Sequence, residues 1–186
     1  MRLLSALFLC LLLAGCGDGA PWHMTNVSGG PPRLNFQLTR ADGAPVTGES
    51  YRGKVVALYF GFTHCPDVCP AALANLADVA KRVNNPDFQI LFVSVDPDRD
   101  TPQILREYAA GFTPQMHSLY GSSNQLADVA RRYRVAHGVT KGPPYEVMHS
   151  NAVFFFDRSG KARLATLDSS RPAEMAEDVT RLLAGK

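Results

Sequence analysis

Cysteine is scarce in this chain: four in 186 residues, with Cys10 and Cys16 near the start and Cys65 and Cys69 close to one another. So sparse a set excludes a disulfide-stapled scaffold, and a chain of this length can bury a core without staples. Charge of one sign is lacking too. Nineteen Lys and Arg stand against seventeen Asp and Glu, a formal net charge of +2. With no basic stripe and no interleaved aromatics, nucleic acid is excluded as a partner. There is no internal repeat. No apolar run reaches the roughly 20 residues that a spanning helix needs, and the stretch Leu3 to Leu13 is about half of that. What is left, 46% hydrophobic and 19% charged, is the composition of one ordinary globular domain.

The short apolar run is itself informative. Arg2 precedes it, and it ends in Leu13-Ala14-Gly15-Cys16. A basic residue, an apolar stretch and small residues at a cleavage point make a signal peptide. The closing tetrad resembles the bacterial lipobox, where cleavage precedes a cysteine that then receives lipid. Residues 1–15 are therefore expected to be a lipoprotein signal peptide. The product would start at Cys16, exported and held by acyl chains on the periplasmic or extracellular side of a bacterial membrane. Cys10 leaves with the signal and Cys16 carries lipid, so only Cys65 and Cys69 remain for other chemistry.

Residues 16–33, with Gly29-Gly30-Pro31-Pro32, read as a flexible tether, and residues 34–186 as the folded domain. Phe36 and Leu38 around the turn Ala41-Asp42-Gly43 predict a hairpin. Val55 to Phe60 and Ile90 to Val95 are continuous runs of β-formers, as in strands covered on both faces. Between them a helix starting near Val68 or Pro70 puts Leu73, Leu76, Val79, Ala80 and Val83 on one side. Thr101-Pro102 opens a second helix, Ser122 or Ser123 a third, and Pro172 a last one ending near Leu183. Leu119-Tyr120 is a short strand, and Ala152–Phe156 with 161–166 forms a hairpin. This alternation predicts an α/β fold. Its element order matches a thioredoxin-like three-layer sandwich with a mixed central sheet, an extra N-terminal hairpin and an inserted helical segment.

Cys65-Pro66-Asp67-Val68-Cys69 follows the first buried strand directly and opens the helix. Unpaired N–H groups and the helix dipole there favour a thiolate, so a lowered thiol pKa is expected. Three intervening residues depart from the two of the common redox loop. Two thiolates select a soft ion, copper(I) or zinc. Structural zinc takes four protein ligands, and only one further ligand can be found, so an S,S,N set points to copper. Of five histidines, His23 falls in the tether, His117 and His137 lie near element ends, and His64 points away from its neighbour Cys65. His149 stands in the loop before strand Ala152–Phe156, which a thioredoxin-like sheet brings beside the cysteine helix. The expected site is one copper, Cu(I) with Cu(II) as an alternative state, on Cys65, Cys69 and His149.

Gly61-Phe62-Thr63-His64-Cys65-Pro66-Asp67-Val68-Cys69-Pro70, Ser94-Val95-Asp96-Pro97-Asp98-Arg99-Asp100-Thr101-Pro102 and His149-Ser150 together resemble the Sco/SenC copper proteins associated with cytochrome c oxidase assembly. The likeness spans roughly residue 34 to the end. It implies a metallochaperone, not necessarily an enzyme, whose partners are a copper-accepting oxidase subunit or a copper donor. The alternative is a thiol–disulfide oxidoreductase using Cys65 and Cys69 as its catalytic redox pair. Where the family often has aspartate before the histidine, this chain has Met148, expected to pack in the core or at its rim. Asp96, Asp98 and Asp100 lack the glycine and closing glutamate of a calcium loop. They are expected to form a solvated acidic rim beside the cap Thr101, with Arg99 able to pair with one of them.

Overall fold

Val55 to Gly61 is buried at every position, and this one strand organises the rest of the chain. The computed structural model describes residues 21–186; the signal segment and Cys16 lie outside the described residues. In chain order the elements are β1 (Thr25–Asn26), β2 (Gln37–Arg40), β3 (Pro45–Thr47), a 3-10 turn (Gly48–Tyr51), β4 (Val55–Gly61), α1 (Val68–Val83), β5 (Phe88–Ser94) and α2 (Pro102–Ala110). They continue with β6 (Met116–Tyr120), α3 (Ser123–Arg132), β7 (His137–Thr140), β8 (Glu146–His149), β9 (Val153–Phe156), β10 (Ala162–Thr166) and α4 (Pro172–Leu183).

Eight strands form one mixed sheet in the order β1-β10-β9-β4-β5-β6-β2-β3. β4, β5 and β6 are parallel, and every other pairing is antiparallel. Tyr59 and Phe92 stand side by side in the β4–β5 register, and Phe92 meets Tyr108 of α2 on one face. Phe60, Phe154 and Phe156 meet Tyr133, just after α3, on the other. Helices therefore cover both faces. That explains why β4 and β5 are written as unbroken apolar runs instead of alternating ones. α1 and α4 pack against each other beside β4.

The helix ends obey local chemistry. Thr101 Oγ1 accepts from Ile104 N, with Pro102 in the first position of α2. Ser122 and Gln125 form a reciprocal capping box on α3. α1 ends at Asn84 in the left-handed conformation after Lys81 and Arg82, the basic last turn that a helix dipole favours.

Three expectations need correction. Residues 21–33 are not a free tether in the structure. Met24 is buried and its N–H donates to the buried Asp178 of α4 at 2.8 Å, β1 pairs with β10, and the Arg181 guanidinium lies 3.8 Å from the Trp22 ring centroid. A Met and a Trp among the glycines and prolines supply enough apolar surface to hold the segment down. Second, β7 and β8 form a separate two-stranded ribbon where no strands were foreseen, so His149 ends a strand and does not lie in a loop. Third, Asp96 and Asp100 are buried and only Asp98 reaches solvent, so the acidic rim is mostly interior.

Candidate metal centre

The site forms where β4 gives way to α1. Gly61 ends the strand, and a Cβ there would lie 2.8 Å from Cys69 Sγ and 2.9 Å from Phe92 Cε2. Only glycine leaves the sulfur its space. Cys65 sits on the loop and Cys69 in the first turn of α1, with Pro70 tolerated there because first-turn N–H groups have no helical partner. The Cys69 N–H points back and donates to Cys65 Sγ at 3.4 Å. Both cysteines are free and buried.

A buried carboxylate fixes the loop from below. Asp100 accepts from Thr63 Oγ1 at 2.6 Å, from Thr63 N at 3.1 Å and from Ser94 Oγ at 2.6 Å. The loop ahead of Cys65 is thus tied both to the end of β5 and to the start of α2. His64 turns outward: its Nδ1 is 3.1 Å from Thr63 Oγ1 and 3.7 Å from Asp100.

His149 arrives from the far end of the chain. Its Nε2 is 3.1 Å from Cys69 Sγ. Its Nδ1 is 3.1 Å from the Ser150 carbonyl, which can only accept, so Nδ1 carries the proton and Nε2 presents a lone pair to the sulfurs. Phe62 and Tyr59 hold the ring edge-on, at centroid distances of 5.7 and 6.1 Å, and Tyr59 is itself fixed by donating to Asn151 Oδ1 at 3.0 Å. The ligand atoms of Cys65, Cys69 and His149 all lie within 4.8 Å of one another. Among the described residues this is the one group of three such side chains that could hold a metal ion.

Burial sets the electrostatics. It pushes the Cys69 thiol up to about 12, against the lowering expected from the helix start. A fully buried sulfur loses more from desolvation than the dipole returns. Burial also lowers the pKa of His149, so its imidazole is neutral and ready to donate its lone pair. Tyr59 and Tyr108, close to the sulfurs, are both raised, again chiefly by burial. A soft cation entering this pocket would supply the positive charge that the buried thiol lacks, displacing its proton.

The other histidines stay apart from the sulfurs. His23 pairs with Glu177 at 2.9 Å, His117 with Gln89 at 2.7 Å, and His137 faces His149 across the ribbon without joining the cluster. Met148 is 66% exposed, neither core nor rim, because strand alternation turns it away from the site as it turns His149 inward. Sequence reasoning gave no site role to Tyr59, which read as a strand residue, or to Phe62, which entered only as part of the cysteine segment, and it set Asp100 on a solvated rim instead of beneath the sulfur loop.

Fold and site define a thioredoxin-like domain with two buried thiols and one oriented imidazole at the start of its first long helix. The SCO1/SenC family model matches residues 29–184, and the chain belongs to that family. A SCO2-like protein of Rickettsia conorii is 35% identical over 150 residues, covering 77% of this chain and 73% of the relative. Mitochondrial relatives are longer; the chain spans 43% of SCO2 from Saccharomyces cerevisiae. Among solved structures, copper-bound ScoI of Arabidopsis thaliana has 33% identity and a TM-score of 0.76, over 86% of this chain and 99% of that one. BsSco, described as a member of the Sco family of cytochrome c oxidase assembly proteins, has 25% identity and a TM-score of 0.65, over 84% and 97%.

Proposed function

We propose that this chain is a copper metallochaperone that carries one copper on Cys65, Cys69 and His149 and delivers it to, or matures the copper centre of, a respiratory cytochrome c oxidase. The copper is cargo, so it must be bound firmly and still be released. The observation that carries the reading is His149 Nε2 at 3.1 Å from Cys69 Sγ, with both sulfurs free. Two soft sulfurs and one nitrogen suit copper(I) better than zinc, which takes a fourth ligand in structural sites. Copper-bound relatives of the same family support the metal, and the naming of BsSco supports the recipient.

The test is copper content and affinity after anaerobic reconstitution. One copper per chain is expected. His149→Ala should weaken binding by at least the roughly 10–100-fold that loss of an outer-shell partner costs. Unchanged affinity would remove His149 from the site. Thiol–disulfide exchange through Cys65 and Cys69 is the second reading, favoured by the closeness of the two free thiols and by the disulfide switch identified in BsSco. Exchange needs no imidazole ligand, so His149→Ala would leave its turnover intact.

Residues 1–15 are read as a lipoprotein signal and Cys16 as the lipidated residue, with the domain on the outer side of a bacterial membrane. A SCO1/SenC family lipoprotein from Bacillus anthracis, 28% identical, supports this. Inhibiting lipoprotein signal peptidase in intact cells should make a longer precursor accumulate; no change in size would refute the anchor.

A further inference from the structure

Resting on that copper reading, we propose that Arg99 and Tyr145 are positioning residues that hold the His149 nitrogen over the sulfur pair. His149 ends β8, and β7–β8 pair only with each other, outside the eight-stranded sheet. A lone two-stranded ribbon is at best marginally stable in water. Something else must keep its last residue at 3.1 Å from Cys69.

The ribbon's turn is fastened to the loop between β5 and α2. Tyr145, immediately before β8, donates its hydroxyl to Asp96 Oδ1 at 2.7 Å. Arg99 donates from Nε to the other oxygen, Asp96 Oδ2, at 2.5 Å. The Arg99 guanidinium carbon then lies 4.0 Å from the Tyr145 ring centroid and 5.8 Å from that of Phe62. Phe62 is the residue whose ring meets the His149 imidazole. One cation therefore reaches the imidazole by two routes, through Tyr145 along β8 and through Phe62 directly.

The strength of this fastening comes from burial. Asp96 is fully buried and its two oxygens are satisfied by these two side chains, so bonds to it are charge-assisted and little screened. The neighbouring pair Lys141–Asp98, at 2.6 Å, is largely exposed and adds little. The arrangement also gives the segment Asp96-Pro97-Asp98-Arg99-Asp100 two separate duties. Asp100 holds the sulfur loop, while Asp96 with Arg99 holds the nitrogen arm.

A double-mutant cycle on the full chain tests this, using competition for copper(I) with a chromophoric chelator. Tyr145→Ala should weaken copper(I) about tenfold, the scale of an outer-shell loss. In the His149→Ala background the same change should have no further effect, because the group it positions is gone. Tyr145→Phe, which keeps the stack and loses the hydroxyl, should fall between. The copper(II) form of Tyr145→Ala should show reduced nitrogen hyperfine coupling with its sulfur-to-copper charge transfer retained. Wild-type affinity in Tyr145→Ala, or an equal loss in both backgrounds, would overturn the proposal while leaving the three-ligand site standing. A His149→Ala variant that binds copper like wild type would overturn both together.

Discussion

Replacing Asp100 by alanine tests the claim that a buried carboxylate holds the sulfur loop in place. The wild-type carboxylate takes two hydroxyl bonds at 2.6 Å and one backbone N–H at 3.1 Å, in a site closed to water. Hydrogen bonds to a charged group contribute about 1.5–3 kcal/mol each. The two hydroxyls can turn to other partners, whereas the Thr63 amide cannot, so a loss of about 3–5 kcal/mol is expected. For a domain of this size each kcal/mol moves Tm by about 2–4 °C, which puts the fall at about 6–20 °C. Asp100→Asn keeps the shape and an acceptor for the Thr63 amide, and should lose about 1–2 kcal/mol. Urea unfolding followed by circular dichroism gives the difference, provided the slope with denaturant is unchanged. A second readout follows from the geometry: Cys65, now on a slack loop, should react faster with a disulfide reagent under native conditions. An alanine variant melting within about 2 °C of wild type, with Cys65 reacting no faster, would refute the reasoning.

Two further outcomes are expected. Gly61→Ala forces a methyl to 2.8 Å from Cys69 Sγ and 2.9 Å from Phe92, so thermal unfolding should show a loss of about 1–3 kcal/mol and copper(I) titration a weaker site; wild-type values in both would show that the strand end has room to spare. The metal-free protein should also lose stability in alkali. Burial raises the Cys69 thiol from near 9 to about 12. Below 9 both states keep the proton, while above it only the unfolded chain gives it up, so stability falls by up to about 1.4 kcal/mol per pH unit until pH passes the folded value. Tyr51 and Tyr108 are raised as well and act from about pH 10, so urea midpoints of wild type and Cys69→Ala should diverge in slope just above pH 9; parallel curves would mean that the thiol ionises in place.

Much of the fold was legible because its physics is local. Continuous apolar runs announce β4 and β5, and Thr101-Pro102, Ser122 and Pro172 announce helices whose observed starts agree with them. The placement of His149 beside the thiols was also legible, since a sheet of this topology leaves the entry to β9 next to the start of α1. What the sequence hid depends on partners distant along the chain. β7 and β8 are half-exposed and lack an alternating apolar pattern, so no periodicity betrays them. Asp96 and Asp100 look like solvent-facing acids until Tyr145, Thr63 and Ser94 arrive to satisfy them. Cys69 carries the expected helix-start position, but its degree of burial, which reverses the direction of the pKa shift, is a property of the closed core.

The separation of the ligands along the chain has a consequence for timing. The two sulfurs are four residues apart, whereas the nitrogen is eighty residues beyond Cys69. A growing or unfolded chain can present the sulfur pair early, but it cannot present the imidazole until β9 has joined β4 and the ribbon has docked. Loose capture of metal is open to any conformation, and the full three-point grip only to the finished one. Tight loading thereby works as a completion check, in which a carrier takes on its load only after its own assembly has ended.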